Sequence, residues 1–209
     1  SMSVRLVNGN HPCAGRVEVH HDGQWGTVCH ASWDIADAAV VCRELDCGTA
    51  VIATHNANFG QGFGPISMGF LECNGSETAL KDCSSNCIFT LMFCNHNQDA
   101  GVVCSGRHPT LVNGPHLCSG RLEIIQENKH YTMCDAAFDQ QDAEVVCREL
   151  GCGAPVQVLG AAAFGKGDDH MWTQEIQCRG DESHIQRCPL STSQEIKCSH
   201  VNGIGLICS

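Results

Sequence analysis

The sequence predicts an α+β chain of two tandem, disulfide-rich domains, each built from a helix packed on a sheet. Three observations carry that expectation. The stretch VVCRELDCG at residues 40–48 returns as VVCRELGCG at 145–153, 105 positions later. There are 17 cysteines among 209 residues, a density that points to a disulfide scaffold in an oxidising compartment. Around the repeated stretch, short runs alternate between apolar and polar side chains, as half-buried strands do.

The elements follow from the alignment of the two copies. LVNGNHPCAGRVEV at 6–19 matches LVNGPHLCSGRLEI at 111–124, and RVEVHH, QWGTVC, SMGFLEC and AGVVCS read as strands of the first copy. RLEIIQ, QEIQC and GIGLICS are their counterparts in the second. Asp34 and Asp139 stand where a helix N-cap belongs, each with a second aspartate in the first turn, Asp37 and Asp142. Ala36, Val40, Val41 and Leu45 then recur at helical spacing, Cys42 and Cys147 anchor that face, and Gly48, Gly151 and Gly153 supply the stop. The first domain is expected over 4–104 and the second over 111–208. Between them lies SGRHPT at 105–110, a linker too short for free tumbling and stiffened by Pro109.

Cysteines 13, 29, 42, 47, 73, 83, 94 and 104 have partners of like position at 118, 134, 147, 152, 178, 188, 198 and 208. Each copy thus holds an even set, and Cys87 is left over. Eight cysteines allow roughly a hundred pairings, so spacing leaves the connectivity open. Cys42 and Cys47 point in different directions near a helix end, which favours two different strands as their partners. Structural zinc is disfavoured because the chain has no C-x2-C pair.

These blocks resemble the scavenger receptor cysteine-rich (SRCR) family, group B. The resemblance rests on VRLVNGNHPCAGRVEVHHDGQWGTVC, WDIADAAVVCRELDCG, FGQGFGPI, LECNGSETALKDC and DAGVVCS, which the second copy follows more loosely. It implies a curved sheet of about six strands cradling one helix. It also implies a pairing: Cys13–Cys47, Cys29–Cys94, Cys42–Cys104 and Cys73–Cys83, then Cys118–Cys152, Cys134–Cys198, Cys147–Cys208 and Cys178–Cys188. Members of this family are non-catalytic binding modules, and many hold calcium through two aspartates after the second cysteine and a glutamate in a C-x-G-x-E turn. Here the first copy reads Cys29-His30-Ala31 and keeps only Glu77. The second reads Cys134-Asp135-Ala136 and keeps Asp135, Asp181 and Glu182, a reduced set that implies weak calcium binding in the second domain.

Composition narrows the function classes. Net charge is −11, with 10 acidic and 4 basic side chains in residues 1–105 and 13 and 8 in 106–209. An acidic field repels phosphate backbones, which excludes nucleic acid and favours ligands with basic groups, although the same charge also keeps an extracellular protein soluble. No apolar run reaches membrane-spanning length, and no signal peptide is read; the leading Ser1-Met2 reads as a cloning remnant on a piece of a longer secreted or surface protein. No G-x-S-x-G, H-E-x-x-H, P-loop or dinucleotide motif occurs, so no enzyme is expected. The 12 histidines are scattered and read as surface groups that mild acid would charge. Asn74-Gly75-Ser76 is a glycosylation sequon in a turn. Cys87 is expected either buried and inert or available for an intermolecular bond, beside an apolar loop at 88–93 that reads as a core strand, a docking patch or a self-association face.

The expectation is therefore an extracellular, ligand-binding segment of a scavenger or pattern-recognition receptor, or of a secreted SRCR protein. It would take protein or microbial-surface ligands through acidic loops, with or without calcium. The alternative is a regulatory or docking appendage of a secreted protease or oxidase.

Overall fold

In the computed structural model, residues 2–165, 167, 170–191, 198 and 203–209 are described. They divide into two compact units, Ser1–Gly106 and Arg107–Ser209. The first contains β1 (Ser3–Asn8), β2 (Ala14–His21), β3 (Gln24–Val28), α1 (Ile35–Glu44), β4 (Ala50–Thr54), β5 (Ile66–Met68), α2 (Cys87–Phe93) and β6 (Gly101–Cys104). Its six-stranded sheet runs β4-β6-β2-β3-β5, with β1 also paired to β2. Asp22 and Gly23, both at positive φ, close the β2–β3 hairpin between the paired residues His21 and Gln24. That is the backbone hand which matches strand twist, and Asp-Gly is a favoured sequence for it.

Strand β2 keeps its period of two, but from Ala14 to Val19 neither face meets water. Val17 and Val19 are buried in the core, while Arg16 and Glu18 are buried on the other face as an ion pair 3.0 Å long. Glu18 also accepts from Arg5 at 2.6 Å, and the Arg16 guanidinium donates to the carbonyls of Phe59 and Gly60. A buried charge needs such a complete set of partners, and here the set fixes the path of the loop beyond β4.

Helix α1 starts at an N-cap in which Asp34 and Asp37 each accept the other's backbone N–H. Its core face is Ala38, Val40, Val41 and Cys42, packed on Val17, Val19, Val28, Leu71, Leu80 and Val102. The stripe is shifted from the expected one: Ala36 and Leu45 are only half buried, and Asp37 is buried because it also accepts from the Cys73 N–H at 2.9 Å. Two bridges pin the helix, Cys42–Cys104 to β6 and Cys47–Cys13 to the start of β2. Cys29–Cys94 and Cys73–Cys83 complete the unit. In the chain-entropy account each of the long loops closed this way contributes about 4 kcal/mol.

The second unit repeats the plan with β7 (Arg107–Asn113), β8 (Ser119–Gln126), β9 (Lys129–Met133), α3 (Gln140–Glu149), β10 (Pro155–Gly160), β11 (Met171–Trp172) and β12 (Ile204–Cys208). The sheet runs β10-β12-β8-β9-β11 with β7 on β8, and Arg121 pairs with the buried Glu123 at 3.0 Å. Its bridges are Cys118–Cys152, Cys134–Cys198, Cys147–Cys208 and Cys178–Cys188. The one difference between the two nonapeptides falls at a left-handed residue just past the helix. Asp46 has φ 54° and Gly151 φ 70°.

Three expectations change. Residues 107–110 are not linker but the first half of β7, where Pro109 is tolerated because, among the described residues, β7 pairs with β8 alone and its other edge needs no N–H. QEIQC forms no strand and makes only the isolated bridge Ile176 to Leu190. Of SMGFLEC only Ser67 and Met68 join the sheet, as the end of β5.

Two consequences can be measured. Burial pushes Glu149 up to about 7, although its carboxylate accepts the Ile185 N–H at 2.7 Å. The folded state therefore takes up this proton before the unfolded chain does, so stability rises as pH falls from above 7 toward the ordinary glutamate range. Glu149→Gln keeps the acceptor and should raise the melting temperature by roughly 4 °C near pH 8, with no gain near pH 4.5, by calorimetry. Gly151→Ala places a Cβ at a left-handed position and should cost about 1 kcal/mol in denaturant unfolding.

Candidate functional site

The first candidate surface is α2. Asn86 caps it by accepting the Phe89 N–H at 2.9 Å, and the Thr90 hydroxyl donates to the Asn86 carbonyl at 2.6 Å. Thr90 is the helix's one buried residue and packs on Gly69, where a Cβ would overlap its hydroxyl and stand 3.0 Å from Cys29 Cβ. Everything else on the helix faces outward. Ile88 is 68% exposed, Leu91 83% and Met92 65%, and Phe89 and Phe93 are exposed as well. Phe70, Phe89 and Phe93 form an edge-to-face series with centroids 5.6 and 5.9 Å apart. Cys87 is exposed and free at the first turn. The apolar run expected as a loop is thus a short helix, shown to solvent rather than placed in the core.

The second surface comprises the acidic turns. Glu77 accepts backbone N–H groups from Asn74 and Gly75 at 3.0–3.1 Å, and the Asn74 bond leads the donors that hold its carboxyl below the usual range. Glu182 does the same with Arg179 and Gly180 at 3.0 Å. Burial works against the ionised form of Glu182, but the N–H bonds from Arg179, its own backbone and Gly180, with the Arg179 charge, outweigh it. Asp181 is exposed and lies 3.6 Å from the Arg179 guanidinium, and Asp135 is exposed in the 3-10 turn after Cys134. Asn74, the first residue of the sequon, is exposed, with its side-chain oxygen accepting from the Ser76 N–H and hydroxyl.

Among the described residues these carboxylates do not gather around one point. Among the described residues, Glu77 and Glu182 each cluster only with two cysteines that are already bridged, and no cluster joins Glu182 to Asp135 and Asp181. Calcium needs six to eight oxygens around one point, whereas both glutamates here spend their oxygens on backbone N–H groups of their own turns. Sequence reading found the residues but not this local use of them.

A third place was missed altogether, because scattered histidines gave no spacing signal. His96 Nδ1 lies 3.0 Å from the buried Asp99 carboxylate and its Nε2 lies 3.0 Å from the Gly64 carbonyl. Asp99 also accepts the Gly62 N–H at 2.7 Å. Together they hold the loop that carries Phe63, which is 90% exposed. His30 and His55 lie at the turn before it.

A family model described as scavenger receptor cysteine-rich domain matches residues 7–105 and 112–209. Among curated proteins, the chain is 37% identical to the T-cell differentiation antigen CD6 of Mus musculus over 212 residues. It is 36% identical to the CD5 antigen-like protein of Homo sapiens over 215 residues. Those matches cover 100% and 94% of this chain but 31% and 60% of the relatives, which are longer proteins. Among solved structures, the third SRCR domain of murine neurotrypsin is 43% identical, with a TM-score of 0.46, covering 50% of this chain and 97% of that one. The SRCR domain of mouse MARCO, solved in its dimeric form, is 39% identical with a TM-score of 0.39, over 49% and 94%. Among the described residues no helix is long and apolar enough to cross a membrane.

The structural role of the acidic turns is directly testable. Calorimetric titration of calcium to the millimolar range should give no saturable heat, while Glu182→Ala should cost about 1 kcal/mol of stability through the N–H groups it strands. Saturable heat that Asp135→Ala abolishes would restore the calcium reading.

Proposed function

The chain belongs to the scavenger receptor cysteine-rich family, and from that premise we propose that it is an extracellular, non-catalytic ligand-binding segment of a receptor or secreted protein. The observation that carries the reading is α2: five exposed large apolar side chains beside a free cysteine, on a helix with no charged residue, in a chain of net charge −11. Such a patch is costly to leave in water and marks a contact surface. Its occupant is a protein, and a second copy of this chain satisfies both features at once, because like apolar faces meet and two Cys87 thiols form one disulfide. That bond releases two protons and two electrons, which a low-molecular-weight disulfide in an oxidising compartment accepts.

Ligand capture is a separate role and falls to the acidic turns. Asp135 and Asp181 are exposed and carry the negative field outward, while Glu77 and Glu182 shape the turns, so protein or microbial-surface ligands with basic groups are favoured.

Non-reducing electrophoresis with analytical ultracentrifugation tests the first part. Wild type should run as a dimer that reduction or Cys87→Ser converts to monomer, and Leu91→Asp with Met92→Asp should slow its formation; a monomer under oxidising conditions contradicts it. Polylysine as a basic probe tests the second. Binding should weaken by about tenfold between low and physiological salt and fall further in Asp135→Asn with Asp181→Asn, and salt-independent binding contradicts it.

A further inference from the structure

The first unit sets two imidazoles against each other at two positions whose counterparts in the second copy are not histidine. His30 follows β3, His55 follows β4, and their ring centroids are 5.6 Å apart. Asp135 and Gly160 occupy the matching positions of the second copy. The Asn56 N–H donates to His30 Nδ1 at 2.9 Å, and His55 Nε2 donates to the Trp33 carbonyl at 2.7 Å. A ring nitrogen that accepts an N–H carries no proton of its own, so His30 is neutral here, with its proton on Nε2.

The turn it holds is under strain. Asn56 has φ 57° and Ala57 φ 50°. Asparagine visits that region readily, but for Ala57 the left-handed conformation costs about 1 kcal/mol, so the turn persists through its tethers. Those are the His30 bond, Ala57 N–H to the Asp99 carbonyl at 3.0 Å, Gly60 N–H to the Ala57 carbonyl at 2.9 Å, and the Arg16 guanidinium on Phe59 and Gly60. Of these acceptors only His30 Nδ1 is itself a site that takes up a proton.

We propose that His30 is an acid sensor of the first unit: a proton taken up at Nδ1 turns the acceptor of the Asn56 N–H into a donor, places an imidazolium beside His55, and releases the turn at 55–60. Burial, and then the neighbouring His55, hold the His30 pKa below the ordinary imidazole value, so the turn is closed in neutral fluid and opens on acidification. The other charged and titratable groups nearby act on adjoining backbone. Arg16 grips the far end of the turn, while His96 and Asp99 grip Gly62 and Gly64 of the next loop. The device gives the segment leading to the exposed Phe63 two states.

The test follows the backbone amide of Asn56 and the His30 ring by NMR between about pH 7.5 and about pH 5. In wild type the Asn56 amide should lose its hydrogen-bonded shift, and its protection should fall about tenfold, over the range in which the His30 ring titrates. His30→Asn supplies a side-chain oxygen that accepts the same N–H without titrating, so the Asn56 signal should stay flat. His55→Gln keeps a donor for Trp33 and removes the second imidazole, so the midpoint should move to higher pH. A flat wild-type signal overturns the proposal. A transition that persists in His30→Asn places the change outside the His30 ring and overturns it equally. If His30→Asn does not fold, an unmoved midpoint in His55→Gln overturns it in that variant's place.

Discussion

Each unit depends on a helix that is cross-linked to two different parts of its sheet. In the first, Cys42 ties α1 to β6 and Cys47 ties its exit to the start of β2; in the second, Cys147 and Cys152 do the same for α3. Removing the chain entropy of loops 34 to 62 residues apart lets about 100 residues hold one arrangement with few aromatic side chains. The capping pairs Asp34–Asp37 and Asp139–Asp142 set where each helix begins, and Asp37 and Asp142 reach on to the Cys73 and Cys178 N–H groups. Cap, helix and short bridge are therefore one connected block. Burial pushes Asp142 up to about 7, so the block carries its acidic caps at some cost in neutral solution.

A frame held this way leaves the connecting segments free to differ. The buried Arg16–Glu18 and Arg121–Glu123 pairs recur in both units and steer the chain beyond β4 and β10 through Phe59 and Phe164. The segments hung on this frame carry different side chains: among the described residues, the first unit has the histidine-held turn and the apolar α2, and the second has Asp135 and Asp181 where the first has His30 and Ser76. The proposed binding surfaces lie in these segments, and the frame supplies only their positions.

The parts legible in the sequence were those governed by local or repeated signals. Asp34 and Asp139 announced the two helices because an N-cap is a contact across three residues, and the cysteine register announced the duplication. Spacing could not choose the cysteine pairs, for which the resemblance alone offered an assignment. Helix α2 was missed because its seven residues are apolar on every side except Thr90, leaving no period to read. Strand β7 was missed because Pro109 marks linkers and free sheet edges alike. The burial of Asp37 and the accepting role of His30 rest on contacts with residues 73 and 56, and a single sequence does not show which distant backbone groups will meet a side chain.

Dependence on the pinned helix is tested most directly by removing one cross-link at a time and following amide hydrogen exchange over β2, β3 and β6. Loss of Cys42–Cys104 as a double alanine change should abolish protection throughout the first unit while leaving the second intact, whereas loss of Cys73–Cys83 should expose only the turn around Glu77. Sheet protection that survives without Cys42–Cys104 would contradict that dependence and make the apolar core, rather than the pinned helix, the element that holds the fold.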